Sequence, residues 1–224
     1  MVMSKSVEND LLSYFPEANY VYTPHPLFDL FGDQISKNDA KNQLEIKEEK
    51  MMLYFGLIRE YKGLDILIEA AGILKNKLQD FKILAVGDCY ENPNQYIELI
   101  KTHEVEDLLD LRMEFVQNNQ VNKYFSAADA IVLPYKSATQ SGVVPVAYHF
   151  NKPVIITDVG GLKEIVIDGK TGLVVNPNTN DIAEGILKFY RIQNKTDFES
   201  HIHKFKQQFS WRVFIEKLET LYQS

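Results

Sequence analysis

Six short β-rich runs constrain this chain more than any other feature. They are MMLYFG (51–56), FKILAVG (81–87), LDLRMEFV (109–116), DAIVLP (129–134), KPVIIT (152–157) and TGLVV (171–175). Taken together they read as continuous apolar stretches rather than alternating ones. A strand with one wet face alternates, whereas a strand covered on both faces does not, and double coverage belongs to parallel sheets packed between helices. Helical segments separate most of the runs. GLDILIEAAGILKNK (63–77) places Leu64, Leu67, Ala71 and Leu74 along one face, the spacing of a half-buried helix. NPNQYIELIKTH (92–103) and NQVNKYFSAA (119–128) behave similarly. The expected class is therefore α/β, a Rossmann-like parallel sheet sandwiched by helices. From about Asn178 the strands stop, and DIAEGILKFYRI, DFESHIHKFKQQF and WRVFIEKLETLYQ are extra C-terminal helices.

Composition narrows the function. A chain of 224 residues with 45% hydrophobic content buries a real core, as one large domain with appended elements. Its 31 acids outnumber 24 basic residues, so nucleic acid is not an expected partner. The densest basic stretch, HIHKFKQQFSWR (201–212), reads as a solvated helix face, with an anionic membrane surface as the alternative. The lone Cys89 excludes an intrachain disulfide and reads as a small, half-buried turn residue. With no signal peptide evident, the cytoplasm is the expected compartment. No apolar run approaches the ~18–20 residues that span a bilayer.

Open parallel sheets bind ligands beyond the carboxyl ends of their strands. The segments there are GLIREYKG (56–63), GDCYENPN (87–94), QNNQ (117–120), PYKSATQSGVV (134–144) and DVGGLKE (158–164). Glycines, helix starts and the cations Arg59 and Lys62 suit an anion, most simply a phosphate or diphosphate. The common phosphate motifs are missing. No G-x-G-x-x-G follows the first strand, and DGKTG (168–172) lacks the P-loop's first glycine because Glu164 stands there, so it reads as a tight turn. His201 and His203 are two apart, and His25, His103 and His149 have no ligand-spaced partner, so no metal is expected. There is no G-x-S-x-G elbow.

In order, GLIREYKGLDILIEA, ILAVGD, YFSAADAIVLPY and GVVPVAYHFNKPVIITDVGGLKEIVIDGKTGLVVNP resemble the donor-binding half of group 1 (family 4) glycosyltransferases, retaining enzymes of the GT-B fold. The resemblance runs from about Lys50 to Phe189, with a weaker echo at Phe209–Trp211. It implies a nucleoside-diphosphate sugar such as a UDP-sugar as donor, and no cofactor. It assigns Lys62, six residues after Gly56, to the donor diphosphate. Ser141, Gly142 and Val143 open a helix whose hydroxyl and backbone N–H groups either bind the β-phosphate or sugar hydroxyls or merely cap that helix. Val116 and Gln117 fall near the base, Gly56 and Gly161 near the donor, and Thr139 and Gln140 near the sugar. Glu164 matches an acid that either touches ligand or caps a helix.

Two positions depart from the family. Leu57 stands where an arginine is usual, and Arg59 lies two residues later; it either reaches the same phosphates or pairs with Glu60 or Asp65. The family's two glutamates fall at Ala138 and Val146, which carry no acceptor side chain, so no catalytic residue is assigned. Residues 1–33 resemble the end of the acceptor domain, with its last strand and helix and a crossing at TPHP; residues 34–224 form the nucleotide-sugar domain. The resemblance thus implies a donor domain that lacks its acceptor half and is inactive alone. In the intact enzyme it belongs to surface polysaccharide or glycoconjugate synthesis, with possible contact at the inner face of the membrane. Trp211 and Phe214 are candidates for a contact across the domain junction. Alternatives are a degenerate, non-catalytic subunit and a nucleotide-sugar epimerase.

Overall fold

The computed structural model describes residues 1–28 and 30–223. Six strands, β1 (Lys50–Phe55), β2 (Phe81–Val86), β3 (Leu109–Arg112), β4 (Ala130–Leu133), β5 (Val154–Thr157) and β6 (Gly172–Val175), form one sheet in the order β3-β2-β1-β4-β5-β6. Every neighbouring pair is parallel. The doubly covered strands expected from the sequence are there: Met51, Met52 and Leu53 of β1 are fully buried, as are Ile131 and Leu133 of β4. One strand is shorter than expected. β3 stops at Arg112, because the strand it pairs with, β2, ends at the facing Val86. Beyond that point Phe115 is exposed.

The helices are α1 (Lys5–Tyr14), α2 (Lys37–Leu44), α3 (Leu64–Leu74), α4 (Pro93–Thr102), α5 (Val121–Ala127), α6 (Val143–His149), α7 (Thr179–Ile192), α8 (Phe198–Phe205) and α9 (Trp211–Gln223). α3 packs on α4 and α7, and α2 packs on α5. The stripe on α3 is buried as expected, at Leu64, Leu67, Ala71 and Leu74, and Ile68 is buried beside it. α2 was not expected. Its KNDAKNQL sequence is polar, yet Ser36 accepts the Asp39 N–H as N-cap, Glu45 closes it in the left-handed region, and Ala40 and Leu44 enter the core. Lys41 is also buried there because its ammonium donates to the Glu48 and Glu49 carbonyls.

The first residues contain the expected helix, α1, capped by Ser4. The strand expected with it reduces to one parallel bridge, Val2 to Tyr22. This segment is tied to the chain's far end: Leu27 N–H donates to the Phe209 carbonyl at 2.8 Å, and Lys217 Nζ to the Tyr22 carbonyl at 3.3 Å. Trp211 is half exposed and sits edge-on to Phe214. Asp29 and Ser224, which fall in the two divisions read from the sequence, lie outside the described residues. Among the described residues no helix is long and apolar enough to cross a membrane.

Candidate functional site

Strand order reverses between β1 and β4, the position at which open parallel sheets bind ligands beyond the carboxyl ends of their strands. The loop after β1 is fixed on both flanks. On the β2 side, Ile58 N–H donates to Asp88 O at 2.8 Å and Tyr90 N–H to Ile58 O at 3.3 Å. Gly87 sits so close that a Cβ there would lie 1.8 Å from the Gly56 carbonyl oxygen. Glu91 Oε1 accepts the Glu60 N–H at 2.5 Å, while its Oε2 accepts from Tyr96 Oη at 2.8 Å. On the β4 side, Lys136 N–H donates to Tyr61 O at 2.8 Å, and Gly63 packs on the Pro134 carbonyl. Between these anchors Glu60–Lys62 forms a single 3-10 turn.

That turn carries Lys62 back over Gly56. A Cβ on Gly56 would lie 3.4 Å from Lys62 Nζ and 3.5 Å from Val143 Cγ2, so the ammonium, the glycine and the start of α6 share one spot. Lys62 Nζ is also 5.6 Å from the Tyr135 ring centroid. It is half-buried and has no carboxylate partner among the described residues. Burial, and then the nearby Arg59 charge, push its pKa below the ordinary lysine value. A half-buried cation without a counter-ion is costly unless an anion joins it.

Arg59 is exposed, with Cζ 5.2 Å from the Tyr90 ring centroid. It makes no ion pair with Glu60 or Asp65; Asp65 takes Lys136 instead, at 2.7 Å. Ser141 is buried, and its hydroxyl is committed within the protein. Oγ accepts the Val143 N–H at 3.2 Å and lies 3.3 Å from Tyr135 Oη, whose pKa burial raises to about 12. Ser141, Gly142 and Val143 therefore line the α6 start mainly through backbone. Val146, at one of the two glutamate positions, is buried and apolar.

The loop after β5 presses on the loop after β4. Gly160, with φ +50°, would place a Cβ 1.6 Å from Ala138 O, and Gly161 one 2.5 Å from Thr139 O. Thr139 and Gln140 are exposed, and their side chains make no hydrogen bond among the described residues. Glu164 stands beside this rim, with Oε1 3.4 Å from the Cβ position of Gly161. Its Oε2 accepts the Lys5 N–H at 2.6 Å and lies 3.4 Å from Tyr22 Oη, so it caps α1. Val116 and Gln117 sit in the loop after β3, at the sheet edge, with Val116 packed on the core and Gln117 exposed. Sequence reasoning missed Tyr135, Tyr90 and Glu91. Their one local signal is that each follows closely on a strand end. Among the described residues, no three or more His, Cys, Asp or Glu side chains group as a metal site.

The family model described as Glycosyl transferases group 1 matches residues 36–207, most of the chain. The chain belongs to the group 1 glycosyl transferases. Among curated members it is 30% identical over 173 residues to an uncharacterized glycosyltransferase of Methanocaldococcus jannaschii, covering 76% of this chain and 47% of that protein. It thus spans about half the length of such relatives. Among solved structures, a sucrose-phosphate synthase from Thermosynechococcus elongatus superposes with a TM-score of 0.82 at 24% identity, over 99% of this chain and 57% of that one. The Anabaena protein HepE, crystallised with UDP, gives 0.77 at 20% identity, over 91% and 57%. At these identities the likeness establishes the fold: this group 1 glycosyl transferase chain has the Rossmann-like architecture of one half of a GT-B enzyme.

Proposed function

We propose that this chain is the donor-binding half of a retaining, hexosyl-transferring glycosyltransferase, and that it holds a nucleoside-diphosphate sugar by its diphosphate. The observation that carries this reading is the half-buried, unpaired Lys62 ammonium over Gly56, at the reversal point of the sheet. When the sugar leaves, the nucleoside diphosphate gains negative charge. A cation already fixed beside it favours that state over the ground state. Arg59 adds positive charge at the rim, and the α6 start offers backbone N–H groups; the account needs no metal. HepE, crystallised with UDP, supports the choice of ligand.

The acceptor side of the cleft lies outside this arrangement. We assign residues 1–33 to the end of an acceptor-side domain, and surface polysaccharide or glycoconjugate synthesis at the cytoplasmic face of the membrane as the setting. A second reading, a degenerate subunit that does not bind donor, is favoured by one observation: Ala138 in the loop after β4 and Val146 on α6 bring no carboxylate there.

Thermal melting with UDP or GDP separates the two. Saturation at about 100 times Kd stabilises a binding protein by about 2.7 kcal/mol, and Lys62→Met removes most of that shift. No shift with either nucleotide, or an undiminished shift in the variant, would sink the donor reading.

A further inference from the structure

Arg59 and Tyr90 stand at the rim in an arrangement that the diphosphate alone does not explain. Both side chains are exposed, Tyr90 to 61%, so neither is held by the core. Their backbones are nonetheless fixed by the bridge between Ile58 and Cys89 and by the Tyr90 N–H bond to Ile58. Arg59 has no ion-pair partner among the described residues, in a chain with 31 acids. The guanidinium lies over the tyrosine ring instead. The pair makes a flat, cationic platform facing solvent.

The sheet places this platform relative to Lys62. Neighbouring strands lie ~4.8 Å apart, and Tyr90 follows β2, the neighbour of β1 on the side away from β4. Arg59 is near enough to Lys62 for its charge to lower the lysine's pKa. A nucleoside diphosphate with its phosphates at Lys62 extends its nucleoside toward β2 or toward β5. On the β5 side the backbone of Gly160 and Gly161 presses on Ala138 and Thr139, and those residues offer no flat side chain to stack on. The β2 side offers an exposed ring and a guanidinium.

We infer that Arg59 and Tyr90 form the nucleoside platform of the donor site: the base stacks on the pair while the diphosphate takes Lys62. This rests on the donor reading above. Stacking engages the face of a base and tolerates its identity, so the platform accepts purine and pyrimidine nucleoside diphosphates alike. Discrimination between bases falls to groups that meet the base edge.

The test is calorimetric titration of the wild type, Tyr90→Ala, Tyr90→Phe and Lys62→Met with UDP, GDP and inorganic pyrophosphate. Tyr90 is exposed, so its variants fold. Tyr90→Ala weakens both nucleotides about 5- to 100-fold and leaves pyrophosphate unchanged, while Tyr90→Phe keeps wild-type affinity. If Tyr90→Ala binds UDP and GDP as the wild type does, or loses pyrophosphate equally, the platform is overturned. Loss of nucleotide in Lys62→Met alone would keep the donor reading and discard the platform. A wild type that binds none of the three ligands would overturn both.

Discussion

Gly63 closes the loop that carries Lys62, and replacing it with alanine tests whether the packing described there is real. Its φ is +69°, and a Cβ would lie 1.9 Å from the carbonyl oxygen of Pro134 and 2.9 Å from the carbonyl carbon. Cβ contacts below 3.0 Å essentially do not occur, so about 1.1 Å of relative movement is required. The opposing atom is backbone, just beyond the buried end of β4, and has no rotamer to adopt. The left-handed conformation alone costs alanine about 1 kcal/mol, and the forced shift brings the total to about 3–5 kcal/mol. Gly169 supplies the control. Its φ is +71°, with nothing within 4 Å of its Cβ position, so Gly169→Ala shows the conformational cost alone, about 1 kcal/mol. Urea unfolding of the wild type and both variants measures the difference, which is large against a typical total of about 5–15 kcal/mol. Equal costs for the two substitutions would refute the close approach of the β1 and β4 loops.

Lys62 starts below its ordinary 10.5 because it is half-buried beside Arg59, and a bound diphosphate raises it. Nucleotide binding at alkaline pH below 10.5 therefore takes up protons, and affinity falls as pH climbs toward 10.5; titration in two buffers of different ionisation enthalpy reads the uptake, and its absence counts against Lys62 as the phosphate ligand. Burial holds Lys152 at about 8, so the folded state binds fewer protons than the unfolded state between pH 8 and 10.5. Stability gained there, up to about 1.4 kcal/mol per pH unit, is missing in Lys152→Met, and parallel stability–pH curves for the two proteins would contradict the burial. Glu164→Ala frees the Lys5 N–H and costs α1 about 1 kcal/mol of capping. Hydrogen exchange over residues 5–14 accelerates while β1 is unchanged; unaltered exchange in α1 would show that the cap is idle.

The strands were legible because their burial is written into consecutive residues: VIIT at β5 is apolar or β-branched throughout and buried throughout. The end of β3 was not, since it depends on where β2 stops pairing rather than on its own MEFV. α2 escaped notice because two residues, Ala40 and Leu44, bear its apolar contact and polar caps do the rest. At the site, the positions of Gly56 and Lys62 were legible because both lie just past one strand. Tyr90 and Tyr135 were not, because each acts through a neighbouring loop. Arg59 reaches its ring across from another strand, and Lys62 faces Tyr135 from across three helices and three strands of sequence. Glu164 shows the same limit most sharply. Its sequence left ligand contact and capping open, and the N–H it caps lies 159 residues away.

A crystal structure of the protein soaked with UDP tests the central claim most directly. The account predicts the diphosphate over Gly56, with a phosphate oxygen within hydrogen-bond reach, about 2.7–3.2 Å, of Lys62 Nζ, and the uracil on the β2 side against Arg59 and Tyr90. Diphosphate bound elsewhere on the chain, with the Lys62 ammonium still unpaired, would contradict it.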